Sequence, residues 1–146
     1  MAEFLGKCQC GRVAVSLITA SPDSLQPRAC GCSFCRRHGA HTVSDPSGRV
    51  TVTAEVGALH RHQFGMRSAD FLICVHCGVY IGALANLSGV DYAAINAVGV
   101  DFALLAARPP VPVDVENESR EERDTRRRRT WTPATVVELD AAVAAD

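Results

Sequence analysis

Seven cysteines in three short clusters constrain this chain more than any other feature of its sequence. The clusters are Cys8-x-Cys10, Cys30-x-Cys32-x2-Cys35 and Cys74-x2-Cys77. The first residues show no basic segment followed by an apolar one, so we expect no export signal and a cytoplasmic location, where thiols stay reduced. An odd number of cysteines also cannot pair completely into disulfides. The clusters therefore predict metal ligation or thiol chemistry.

Two of the clusters have the pattern of zinc knuckles. Gly11 follows Cys10 and Gly78 follows Cys77. Glycine permits the positive φ that a tight loop around a metal needs, and it lets backbone N–H groups turn toward the sulfurs. We therefore expect one closed, structural zinc site that fastens the N-terminal strand to a later strand pair. Its four ligands would be Cys8, Cys10, Cys74 and Cys77. The alternative is that these are buried free cysteines.

The third cluster, Cys30, Cys32 and Cys35, supplies only three ligands. Zinc with three protein ligands and an open fourth position is the arrangement found in reactive sites. Three thiolates leave the zinc group with a net negative charge, so the preferred incoming ligand is a soft thiolate that remains nucleophilic. The cluster therefore predicts a small thiol as guest. The alternative is a second structural site closed by His38 or His41.

Basic residues next to this cluster are candidates for binding an anionic guest. Arg36 and Arg37 directly follow Cys35, and guanidinium groups bind carboxylates through paired hydrogen bonds. With His38 they form the candidate cofactor-binding set. The sequence assigns no catalytic acid or base, so the catalytic residues predicted here are the three cysteines as zinc ligands.

The pattern of apolar residues predicts a mainly β fold. A chain of 146 residues is long enough for one domain with a hydrophobic core. Period-two alternation or β-rich composition predicts strands over 12–18, 49–56, 70–75, 79–85 and 92–100. Helices for parallel crossovers are missing between these segments, which favours antiparallel sheets. One or two short helices are expected towards the C-terminus, the first over 101–107.

The segment ENESREERDTRRRR, residues 116–129, contains no apolar residue. Ser119 and Glu122 match a capping box, so the segment predicts a solvated helix or a partly disordered arm. Trp131 follows and is expected to hold the tail on the core. We therefore divide the chain into a zinc-binding domain over 1–110 and a charged helix with a tail over 111–146, packed on the same domain.

Four segments together resemble a known family. In chain order they are GKCQCGRV, CGCSFCRRHGA, ICVHCGVYIGA and AAINAVGVD. Their order and spacing resemble the glutathione-dependent formaldehyde-activating enzyme family, which includes centromere protein V. The resemblance covers about residues 6–100. It implies a β-tent fold with a structural zinc on Cys8, Cys10, Cys74 and Cys77, and a second zinc on Cys30, Cys32 and Cys35.

The resemblance also implies a function. The family's named activity joins formaldehyde to glutathione and is classed with the carbon–sulfur lyases, so the implied cofactors are two Zn²⁺ and the implied partners are a small thiol, such as glutathione, and an aldehyde. The alternative is a zinc-stabilised binding module without catalysis, with Arg126 to Arg129 contacting a protein or nucleic acid. The formal net charge of −1 makes nucleic acid an unlikely partner. No segment predicts membrane insertion. A redox role for Cys32 and Cys35 is disfavoured because no βαβ pattern surrounds them.

Overall fold

The computed structural model describes residues 1–140 and has the mainly β architecture that the sequence predicts. Eleven strands and three short α-helices lie within these residues. The strands are β1 Ala2–Lys7, β2 Val13–Thr19, β3 Arg28–Cys30, β4 Thr42–Val43, β5 Arg49–Glu55, β6 Leu59–His62, β7 Asp70–Cys74, β8 Tyr80–Leu87, β9 Val90–Asn96, β10 Val111–Val113 and β11 Thr132–Leu139. The helices are α1 Ser33–His38, α2 Ala103–Ala106 and α3 Arg120–Thr130. A short 3-10 turn occupies Pro22–Ser24.

Strands form where alternate residues are apolar. In β2 the buried apolar residues are Val13, Val15 and Leu17, and in β5 every second residue is likewise buried. This pattern is typical of a strand with one face on the core and one toward solvent. The strand β8 instead is buried on both faces, because Ile81 and Leu84 pack in the main core while its other face meets Trp131.

The described strands join into one mixed sheet in which β11 is the connecting strand. One half runs β1-β2-β5, and the other contains β6-β7-β8-β9 with β4, β3 and β10 beyond β9. The first residues of β11 pair antiparallel with β9, and Ala134 to Leu139 pair with β5. The two halves of the sheet therefore depend on β11 for their connection.

The expectation of purely antiparallel sheets needs a correction at two strands. All ladders between residues 2 and 96 are antiparallel, whereas β11 pairs parallel with β5 and β10 pairs parallel with β3. A parallel pair requires a long crossover. The chain provides it here, because β6 to β10 and α3 intervene between β5 and β11.

The helices differ from expectation in number and place. Helix α1 was not predicted, since helices were expected only towards the C-terminus. Helix α2 is shorter than the predicted 101–107. Helix α3 begins after Ser119 with a complete capping box, in which Ser119 Oγ accepts from the Glu122 N–H and the Glu122 side chain accepts from the Ser119 N–H. The segment is therefore a helix and not a disordered arm. No helix in residues 1–140 is long and apolar enough to cross a membrane.

Residues after 110 take part in the same sheet through β10 and β11, and Trp131 is buried against Ala83, Ala85 and Ala94. The last six residues of the segment 111–146 lie outside the described residues.

Candidate metal centres

The first cysteine cluster is a compact group of four sulfurs. The Sγ atoms of Cys8, Cys10, Cys74 and Cys77 all lie within 4.8 Å of one another. Cys10 Sγ lies 3.7 Å from Cys8 Sγ and 3.6 Å from Cys74 Sγ. Four sulfurs at the usual Zn–S distance in a tetrahedron would be separated by roughly 3.8 Å. The donor set and its spacing therefore fit a tetrahedral metal ion such as zinc.

Two similar turns present these sulfurs. In the first turn the Cys8 N–H donates to the Val13 carbonyl, and in the second the Cys74 N–H donates to the Val79 carbonyl. Each turn contains a glycine in the left-handed region, Gly11 at φ 83° and Gly78 at φ 78°. The Val13 N–H lies 3.4 Å from Cys8 Sγ, a hydrogen bond that favours the thiolate. The knuckle pattern predicted from the glycines is thus present in the backbone.

The electrostatics of this cluster favour a bound cation. Burial raises the pKa of Cys8, and it raises that of Cys74 to about 12. Burial also raises the pKa of Cys10, but the backbone and side chain of Arg12 outweigh that effect and lower it to about 6. Without a cation, four sulfurs this close cannot all be ionised, because like charges at short range disfavour each other. A divalent metal removes this conflict.

The second cluster contains three sulfurs and is built from one short segment. Cys30 ends β3, Cys32 is the N-cap of α1, and Cys35 lies within that helix. Their Sγ atoms lie within 4.8 Å of one another. The Cys35 N–H donates to Cys32 Sγ at 3.3 Å. The left-handed Gly39 then ends α1, which brings Ala40 back to hydrogen-bond the Cys35 carbonyl.

Hydrogen bonds among the three thiols separate their pKa values. The thiols of Cys30 and Cys35 donate to Cys32 and lower its pKa to about 2. The hydrogen bonds of Cys35 with Cys30 and with Cys32, followed by burial, raise the pKa of Cys35. The hydrogen bond with Cys32 also raises the pKa of Cys30. These hydrogen bonds therefore favour the thiolate form at Cys32, and a bound cation would favour the thiolate form at all three cysteines.

Neither histidine that could close this site joins it. Among residues 1–140, the potential metal ligands that come together at this second cluster are only Cys30, Cys32 and Cys35. His38 is exposed and its ring packs 4.4 Å from the Phe34 ring. His41 is half-buried, and its Nδ1 has no hydrogen-bond partner in the described part of the chain. Neither His38 nor His41 therefore acts as the fourth ligand that the alternative, a closed second structural site, would need.

The three-cysteine cluster opens into a pocket of about 420 Å³. Cys30, Cys32 and Cys35 form part of its wall. The rest is aromatic and basic. The aromatic side chains are Phe64, Phe71, Tyr80 and Trp131, and the basic ones are Arg28, Arg123, Arg126 and Arg127. This volume lies in the range of about 300–1,000 Å³ that is typical of small-molecule sites. The four-cysteine cluster does not line this pocket.

The arginines of the pocket are not those the sequence suggested. Arg36 and Arg37 are exposed on α1 and, like His38, do not line the pocket. Their side chains point elsewhere because Cys35 occupies the buried face of this short helix. Helix α3 supplies the arginines instead. The spacing of Arg123, Arg126 and Arg127 at i, i+3 and i+4 on one helix face was the available signal.

This arrangement also bears on the binding-module alternative, which uses Arg126 to Arg129. Arg126 is paired with Glu118 at 2.9 Å, and Arg127 is buried. Only Arg128 and Arg129 of the run are exposed. A partner on the outside of α3 would therefore meet half of the basic run.

Comparison with known proteins gives one structural relative and no family. No protein-family model matches the chain, and no curated protein matches it. A crystal structure of a Rhodobacter sphaeroides protein from a structural genomics programme is similar, with a TM-score of 0.54 and 28% sequence identity. The match covers 76% of this chain and 99% of the other. It supports the fold over three quarters of the chain, and the name of that protein carries no activity.

Proposed function

We propose that this protein is a zinc-dependent, aldehyde-activating enzyme of the carbon–sulfur lyase type. It would bind a small thiol such as glutathione at the three-cysteine centre and add it to an aldehyde such as formaldehyde. One observation carries the proposal: three cysteine sulfurs form the wall of a ligand-sized pocket, and no fourth ligating residue from 1–140 completes them.

In the proposed reaction the sulfur of the thiol forms a bond to the carbonyl carbon, and the proton lost by the thiol ends on the carbonyl oxygen. No redox step is involved. Zinc held by Cys30, Cys32 and Cys35 would keep the incoming thiol as a nucleophilic thiolate at neutral pH. The reaction needs no other cofactor.

The residues around the pocket have identifiable tasks in this proposal. Phe64, Phe71 and Trp131 give an apolar wall that limits access of water to the reacting groups. Tyr80 is buried and lines the same pocket. Burial raises its pKa well above the ordinary value, so the side chain stays a phenol. A phenol can donate a hydrogen bond to the oxygen that gains charge as the new bond forms.

The proposal is tested by the rate of exchange between formaldehyde and its glutathione adduct. That exchange is measured by NMR with ¹³C-formaldehyde, for the wild type and for Cys32→Ser. We expect the wild type to accelerate exchange over the uncatalysed reaction and Cys32→Ser to leave it at the uncatalysed rate. Zinc content is measured on the same samples. Wild-type protein with two zinc ions per chain and no acceleration would contradict the proposal.

A second variant for this test is Cys35→Ser, which removes another ligand of the same centre. Loss of exchange in both variants with retained fold supports a shared metal site. Loss in only one of them would point to a role for that thiol other than metal binding.

A further inference from the structure

Helix α3 presents three arginines to the pocket although it has no apolar residue before Trp131. Arg123, Arg126 and Arg127 share one face of the helix, and Arg28 reaches the same pocket from β3. We call these four residues the arginine cluster. In a fully solvated helix these arginines would face water. The contacts of each guanidinium in the pocket therefore indicate what the cluster could bind.

Arg127 is the most buried member. Its relative exposure is 5%. Its Nη1 donates to the carbonyl and hydroxyl oxygens of Ser68 at 3.1 and 2.9 Å, and its guanidinium lies 4.7 Å from the centre of the Trp131 ring. Within residues 1–140, its Nε has no hydrogen-bond partner and no carboxylate lies within 4.0 Å of its guanidinium.

The charge of Arg127 persists under these conditions. Burial, and then the nearby Arg126 and Arg123, lower its pKa to about 10, which still leaves the guanidinium protonated at neutral pH. Burial disfavours a charged group that has no counterion in contact with it. Such a cation next to a pocket is therefore expected to receive its counterion from a ligand.

The neighbouring carboxylates do not balance the cluster. Glu118 accepts from Arg126 Nε at 2.9 and 3.1 Å and lies 3.7 Å from Arg123 Nε, so one carboxylate serves two arginines. Glu116 lines the pocket but is exposed. Arg28 donates to Ser44 Oγ at 2.8 Å and, within residues 1–140, is not within 4.0 Å of any carboxylate.

We propose that the arginine cluster is an oxyanion subsite, so that the thiol bound by this protein carries a carboxylate or phosphate group. The part of this inference that concerns the thiol rests on the proposed function, whereas anion binding by the arginines does not. Both the cysteine wall and the arginine cluster line one pocket whose volume suits one small molecule. Planar guanidinium groups bind carboxylate and phosphate through paired hydrogen bonds.

The test uses two thiols that differ only in the oxyanion. They are 3-mercaptopropionate and 3-mercapto-1-propanol, and propionate and inorganic phosphate serve as anions without a thiol. Trp131 is the only tryptophan of the chain and lines the pocket, so its fluorescence reports binding of each compound. We expect 3-mercaptopropionate to bind at least about tenfold more tightly than the alcohol, the size expected for one charge-assisted hydrogen-bonded pair.

Arg127→Gln should remove that preference, and Arg129→Gln should keep it, because Arg129 is exposed on the same helix and does not line the pocket. Arg28→Gln, on a different element, gives a second reading if Arg127→Gln fails to fold. Equal binding of the two thiols by the wild type, with no binding of propionate or inorganic phosphate, would overturn the oxyanion subsite while leaving the proposed function standing.

The anions without a thiol separate the two ideas. Propionate binding that Arg127→Gln abolishes, with no gain from the thiol group and no effect of Cys32→Ser, would support the subsite and contradict the proposed function. Phosphate binding without propionate binding would support the subsite and identify phosphate as the group. If neither anion binds and 3-mercaptopropionate shows no preference over the alcohol, the inference is wrong.

Discussion

The two cysteine clusters use the same ligand atom but have different neighbours. In the four-cysteine cluster, Cys8 and Cys74 are members of the main hydrophobic core, and Cys10 and Cys77 pack against it. In the three-cysteine cluster, Cys30, Cys32 and Cys35 pack with Tyr80 and Phe34 and line a pocket. Both clusters mix buried and half-buried cysteines, so their neighbours, the main core for one and a pocket for the other, are what distinguish them.

The clusters also differ in how much of the chain each would tie together. Cys10 and Cys74 are 64 residues apart in sequence, whereas the second cluster spans only Cys30 to Cys35. A metal that joins distant segments closes a long loop and restricts the unfolded chain, and one that joins a six-residue segment restricts it little. Loss of metal should therefore affect stability very differently at the two sites.

The largest expected effect is on stability when one ligand is removed from each cluster. Cys74→Ser should abolish cooperative unfolding, because structural zinc contributes roughly 10–16 kcal/mol in small zinc domains and a domain of this size has a stability of roughly 5–15 kcal/mol. Cys32→Ser should move the melting temperature by only a few degrees, about the effect of 1 kcal/mol in a domain of this size. Thermal unfolding followed by circular dichroism measures both.

The two variants carry the same cysteine-to-serine change, so a difference in their stability reports the difference between the two clusters. Equal destabilisation by the two variants would erase the distinction and make the three-cysteine site structural. A fully stable Cys74→Ser protein would remove the structural role of the four-cysteine site.

The second effect, intermediate in size, concerns which of the two metal ions is released first. We expect two zinc ions per chain after purification without a chelator. A chelator added in steps should remove the ion at the pocket first, because that site is exposed to solvent through the pocket, and circular dichroism should change only with the second ion. Metal release is followed with a chromogenic zinc indicator. Simultaneous release of both ions would contradict the comparison.

The smallest effect concerns the helix that borders only one of the two sites. Ser119→Ala removes the cap of α3 and should cost about 1 kcal/mol of stability. Because α3 carries Arg123, Arg126 and Arg127, the fluorescence of Trp131 and ligand binding at the pocket should change, while zinc retention at the four-cysteine site should not. Arg129→Gln, on the exposed face of α3, serves as the control. A loss of zinc from the four-cysteine site in Ser119→Ala would show that α3 supports both sites.

Local patterns were enough to predict five of the eleven described strands, β2, β5, β7, β8 and β9, and the grouping of the cysteines. Alternation in β2 and β5 places Val13, Val15 and Val50 on the buried face, and short-range glycine positions anticipate both knuckles. These features depend on neighbouring residues only. They could therefore be predicted without knowledge of the fold.

The features that were missed depend on contacts distant in sequence. Apolar periodicity cannot detect a helix face that buries charge, so the inward arginines of α3 were predicted to be solvated. Helix α1 was missed for a local reason instead, because its six residues, with Cys32 before them and Cys35 among them, show too little apolar periodicity. The parallel pairing of β11 with β5 was also missed. To predict it, one must know which strand pairs with β11, and that depends on the packing of Trp131 and on the long crossover.

The position of β11 has a consequence for folding order. Residues 134–139 pair with β5 and residues 132–133 pair with β9, although residues 56–131 separate β5 from β11 along the chain. The two halves of the sheet can thus form early, but they can meet only after residues 132–139 have been synthesised. Contacts of such long range slow folding. During synthesis the unpaired edges of β5 and β9 stay open until this one strand arrives.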